Sequence, residues 1–114
     1  MTSSRKLLPN RRFAVTFKFE HLSQDGGVHK FHVTVGFYPD GTPGEIFINT
    51  HKAGGEYNTL ISDTAVAISL ALQYGCPLNF LRQSMKRNSD GTPMGLLSHL
   101  LDRMEEERIS SHDD

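Results

Sequence analysis

Phe13, Val15, Phe17 and Phe19 alternate with Ala14, Thr16, Lys18 and Glu20. Side chains of an extended chain point to opposite sides in turn, so this period of two predicts a strand with an aromatic inner face. The pattern returns at Phe31, Val33, Val35 and Phe37, set against Lys30, His32, Thr34 and Gly36. Between the two runs lies Ser23-Gln24-Asp25-Gly26-Gly27, whose Asp-Gly-Gly favours a hairpin turn. An antiparallel hairpin of residues 13–20 with 30–38 follows, with Phe17 and Val33 buried, because a one-residue slip would expose every inner residue. Asp40-Gly41-Thr42-Pro43 then turns the chain into a third strand over 44–50.

Beyond Lys52-Ala53-Gly54-Gly55 the apolar period lengthens. Ile61, Ala65, Ile68 and Leu72 form a stripe at helical spacing, with Asn58 or Thr59 as candidate N-cap and Gly75 as the residue that ends the helix. Val66 and Leu70 lie off the stripe and predict burial on more than one side. Pro77 suits the first turn of a short second helix bearing Leu78, Leu81 and Met85. A third helix carries Leu96, Leu97, Leu100, Leu101 and Met104, and ends in Glu105, Glu106 and Glu107. Acid at a helix C-terminus opposes the macrodipole, so fraying is expected from about Glu106. The order βββααα with one apolar sheet face implies an α+β fold of two layers, a three-stranded antiparallel meander with two to three helices packed on one face. The domain is expected over 11–105, between a flexible basic tail (1–10) and an acidic tail (106–114).

Asp-Gly-Thr-Pro occurs twice, beginning at Asp40 and at Asp90. Duplication is excluded by the flanks, since Gly44-Glu45-Ile46-Phe47 does not resemble Met94-Gly95-Leu96-Leu97. Asp-Gly supplies a position tolerant of positive φ, and Thr before Pro is biased to extended backbone. One turn used twice is the expectation, first between strands and then between helices.

Charge alters this picture at the ends of the chain. The net charge is −1, yet Arg5, Lys6, Arg11 and Arg12 crowd the N-terminus while acids crowd the C-terminus. Cys76 is the single cysteine, so no internal disulfide forms, in keeping with a reducing cytoplasm. The first residues have no apolar core of a signal peptide, and no stretch is long enough for a membrane span, so a soluble protein is expected. Six histidines raise the question of a metal. His29 and His32 point to opposite faces of a strand, no carboxylate cluster accompanies them, and no metal or cofactor is expected. Ser62 and Ser69 have no histidine placed to activate them, and Cys76 lacks an evident electropositive setting. Lys52, Gly54 and Gly55 before a helix could offer N–H groups to a phosphate, although the phosphate-loop pattern is absent. Arg82, Lys86 and Arg87 form a basic cluster that could touch nucleotide or nucleic acid, against which stands a pI of about 6.6.

The run HVTVGFYPDGTPGEIFI, followed by ISDTAVAISLALQYGCPLNFL, resembles the TSCPD domain found near the C-terminus of adenosylcobalamin-dependent (class II) ribonucleotide reductases. The likeness lies in order and spacing and covers about residues 11–87. The cysteine motif that names the family is not visible, and Cys76 sits in Gly-Cys-Pro. The reductase's catalytic barrel, radical cysteine and cobalamin site do not fit in 114 residues. The resemblance therefore implies an accessory domain that does not itself reduce ribonucleotides; a non-catalytic module working by protein contact, with a reductase-like partner or with itself, is the expectation. Its contact surface would be the open sheet face, carrying Thr16, Lys18, Lys30, His32 and Thr34. The third helix, apolar on adjacent positions, predicts surface left uncovered in the monomer and hence a two-fold homodimer, paired through either the helix face or a sheet edge. The alternative is a nucleotide or nucleic-acid binder using Lys52, Arg82, Lys86 and Arg87.

Overall fold

A computed structural model describes residues 4–23, 26–50 and 55–112, with side chains described through Arg108. Strands β1 (Ala14–Leu22), β2 (Val28–Phe37) and β3 (Pro43–Thr50) form one antiparallel sheet in the order β1-β2-β3. Helices α1 (Glu56–Gln73), α2 (Leu78–Ser84) and α3 (Leu96–His112) follow. The fold is α+β, three strands and then three helices.

The register sets Phe17 opposite Val33 and Val33 opposite Ile48. Phe19, Phe31, Val33, Val35, Phe37, Ile46 and Ile48 thus share one face, and all are buried. Phe17 is only half-buried. It lies near the sheet's rim, packed against the core, with the Arg103 guanidinium over its ring at 4.4 Å. Phe13 falls just before β1 and stays 51% exposed, with its ring 5.8 Å from that of Phe37.

Ile61, Ala65, Ile68 and Leu72 of α1 enter the core as their spacing predicts. Four expectations for the helices change. The N-cap of α1 is Gly55, which offers no side-chain cap, so the helix starts ahead of Asn58 and Thr59. Thr59 instead donates its hydroxyl to the Gly55 carbonyl at 3.2 Å. Val66 and Leu70 are exposed, because α1 lies against the sheet on one side only. Among the described side chains, the apolar surface expected to lie uncovered on α3 is turned into the core, with Leu96 and Leu97 partly buried against it. Leu100, Leu101 and Met104 are at most 2% exposed, since α3 passes under β1 and completes the core. Burying such side chains contributes about 1.5–3 kcal/mol each, enough to hold the helix whatever its terminal charges do. The expected fraying near Glu106 gives way to helix as far as His112. Ion pairs Arg103–Glu107 (2.9 Å) and Arg108–Glu105 (2.8 Å) interleave the glutamates with cations.

At the other end of α1, the Gly75 N–H donates to Leu72 O (3.1 Å) and the Cys76 N–H to Ala71 O (2.9 Å), the paired bonds of a Schellman stop. The two Asp-Gly-Thr-Pro segments are one turn built twice. Asp40 Oδ1 accepts from the Thr42 N–H at 3.0 Å and from its hydroxyl at 2.7 Å; Asp90 does the same for Thr92 at 3.0 and 2.6 Å. Gly41 and Gly91 sit at φ 89° and 88°, a left-handed region that glycine enters without steric cost.

Candidate interaction surface

The face of the sheet turned away from the helices is built by the even-numbered positions of β1 and their partners. Thr16 lies beside Thr34 and Thr34 beside Phe47; Lys18 lies beside His32 and His32 beside Asn49; Glu20 lies beside Lys30. The Thr16 and Thr34 hydroxyls are 2.9 Å apart. Phe47 stands 52% exposed in this polar field. At one end Arg12 grips Glu45 with two hydrogen bonds, Nε to Oε2 at 2.5 Å and Nη2 to Oε1 at 3.2 Å. The Glu45 side chain reaches this position across Gly36, where a Cβ would overlap its carboxylate. The sequence expectation that Lys18, Lys30 and His32 share an open face thus agrees with the register.

The two edges of the sheet are treated differently. Along β3, Ser69 of α1 accepts from the Ile46 N–H at 2.9 Å and donates to the Ile46 carbonyl at 3.3 Å. One turn on, Gln73 Nε2 donates to the Gly44 carbonyl at 2.9 Å. Gln73 is itself buried, and it receives Arg5 Nε on Oε1 and the Lys6 N–H on its backbone oxygen. Arg5 and Lys6, from the segment expected as a tail, are thereby docked. Tyr38 strengthens the attachment by donating its hydroxyl to Lys6 O. Sequence reasoning weighed Ser69 only as a nucleophile and missed its role at the sheet edge, and it missed Gln73 altogether. Their only signal was polarity four residues apart, beside an apolar stripe.

The basic cluster divides into paired arginines and an exposed lysine. Arg87 holds Asp102 through two hydrogen bonds, at 2.5 and 3.0 Å, and Arg82 reaches the same carboxylate at 3.0 Å. The Arg87 hydrogen bond is the chief cause holding the Asp102 carboxyl below its usual range. Lys86 is exposed and in none of these bonds. Gly55 is the α1 N-cap at φ 90°, while Lys52 and Gly54 of the candidate phosphate loop lie outside the described residues. Three further features complete the surface. His21 Nδ1 and His99 Nδ1 are 3.2 Å apart, and burial, then the charges of His99 and His29, lower the His21 pKa. Cys76 is buried at a hollow of about 320 Å³ that also touches Tyr38 and Gln73. No three His, Cys, Asp or Glu side chains are grouped as a metal site among the described residues.

The TSCPD domain model matches residues 7–107, which include every candidate position named above. The chain belongs to the TSCPD domain family. Among proteins that share this TSCPD domain is the vitamin B12-dependent ribonucleotide reductase of Agrobacterium fabrum, 44% identical over 78 residues, 68% of this chain and 6% of that protein. The enzyme of the same name from Rhodopirellula baltica is 38% identical over 77 residues, 68% of this chain and 7% of its own length. That from Streptomyces coelicolor is 34% identical over 74 residues, 65% of this chain and 7% of that protein. The TSCPD chain thus spans a small fraction of the relatives it matches. No solved structure matches it, and no helix among the described residues is long and apolar enough to cross a membrane.

Proposed function

We propose that this TSCPD domain is a non-catalytic binding and assembly module that acts through protein contact, by pairing with itself or by docking to a ribonucleotide reductase-like protein in the cytoplasm. One observation carries the reading: the sheet keeps an open polar face and one edge, β1, whose outward backbone groups receive, among the described residues, no side chain of the kind that Ser69 and Gln73 supply to β3. An exposed strand of nine residues is a template for another chain. The chemistry-bearing side chains support the same reading, because Arg82, Arg87 and Asp102 are spent on one another between the helices. Cys76 is buried at a helix stop. The homodimer survives as a proposal on this new ground, since α3 no longer supplies it.

The test has two readings. Purified protein with adenosylcobalamin and a dithiol is expected to reduce no ribonucleotide, and cobalamin-dependent turnover would overturn the non-catalytic assignment. Light scattering at micromolar concentration is expected to give twice the chain mass of 12.8 kDa.

A further inference from the structure

We propose that β1 is the seam through which two copies of this chain join, antiparallel about a two-fold axis at Phe19, so that Lys18 of each faces Glu20 of the other. This rests on the reading of the domain as a self-associating module and assigns its contact surface. The backbone fixes which residues could bond across such a seam. The Phe37 N–H donates to Phe13 O at 2.9 Å and the Ser23 N–H to Gly27 O at 2.8 Å. Bonded pairs alternate along an antiparallel ladder, so the odd positions of β1 turn their N–H and C=O towards β2. The even positions, Ala14, Thr16, Lys18, Glu20 and Leu22, turn theirs outward. Among the described residues, no backbone hydrogen bond is made to those outward groups.

Outward groups must face outward groups, so each two-fold arrangement centres on one residue of β1. Centring on residue 18 sets lysine against lysine, and centring on 20 sets glutamate against glutamate; like charges directly opposite oppose pairing. Centring on 17 leaves both charges facing neutral residues. Centring on 19 alone matches Lys18 with Glu20 twice and lays Thr16 against Leu22. Each even pair then exchanges two N–H···O bonds. Across the joint the open face would read Lys30, Glu20, Lys18 and His32 in one row, with alternate charge except at its last step. Leu22, 67% exposed, would gain cover at both ends of the seam. A lysine in the middle of an edge ordinarily blunts association. Here Glu20, two residues away, answers it in one register only.

Charge reversal separates the seam from the dimer as such. Sedimentation over a dilution series would compare the wild type with Lys18→Glu, Glu20→Lys and the double exchange, each shown folded by circular dichroism. Either single change sets like charges opposite twice and is expected to raise the dissociation constant by about tenfold or more. The double exchange reverses both signs and is expected to restore it. A wild type that remains at the monomer mass overturns self-association itself. A wild-type dimer indifferent to the single changes keeps self-association and overturns β1 as its seam. Weakened single variants without rescue overturn the register.

Discussion

His21 and His99 show what a close pair of like groups does to a fold. With Nδ1 atoms 3.2 Å apart, one ring donates and the other accepts, an arrangement that holds only while one of the two facing nitrogens lacks a proton. Burial and the neighbouring His99 and His29 depress the His21 pKa below the ordinary value of about 6.5. The folded state then binds fewer protons than the unfolded chain just below that value. Stability from this pair is present above about pH 6.5 and is lost as pH falls through the folded value. Urea midpoints are expected to drop between pH 8 and pH 5, and to drop less in His21→Gln. An equal drop in the variant would remove the histidine from the account. Ser69 and Gln73 work without titrating: each places one polar group against backbone that water would otherwise have to satisfy.

Elements in this molecule are joined by side chains as much as by packing. Arg82 on α2 and Arg87 beyond it converge on Asp102 of α3, so one carboxylate fastens the connector that contains the second Asp-Gly-Thr-Pro turn. The wild type is expected to bind single-stranded oligonucleotide negligibly at physiological ionic strength. Asp102→Asn removes the negative charge that both guanidinium groups share, lowers the urea midpoint, and should produce weak binding that falls steeply with salt. Tight wild-type binding, lost when Arg82, Lys86 and Arg87 become alanine, would favour the basic-cluster reading. Strands and helices were legible in the sequence because Val33, Val35, Ile61 and Ile68 state their periods without ambiguity. The start of α1 was not, because Gly55 caps by backbone shape and leaves no side-chain signature. The cover on α3 was hidden for another reason: its contact with β1 links residues as distant as His21 and His99, and a local pattern cannot report a distant partner. Of the candidate surface, alternation gave Lys18, Lys30 and His32. The pairing of Arg82 and Arg87 with Asp102 depends on how two helices meet, so it stayed out of reach.

On the scale of the whole molecule, the sheet has unlike borders. α1 lies along β3 and holds it with Ser69 and Gln73, while the outward backbone of β1 receives no such bond among the described residues. With β1 as the proposed seam, the domain would have a valence of one. A unit able to accept a strand at both borders would add copies without limit, as cross-β fibres do. A unit with a single receptive border is saturated by its first neighbour. Two chains joined at β1 would form a six-stranded sheet whose outer margins are both β3, each already occupied by its own helix. Raising the protein concentration should therefore bring the sedimentation mass to a plateau at twice 12.8 kDa, with no thioflavin-positive material. Growth past that plateau would show that α1 does not seal β3 in solution. The serine and glutamine of one helix would then decide whether a sticky strand yields a countable complex or a polymer.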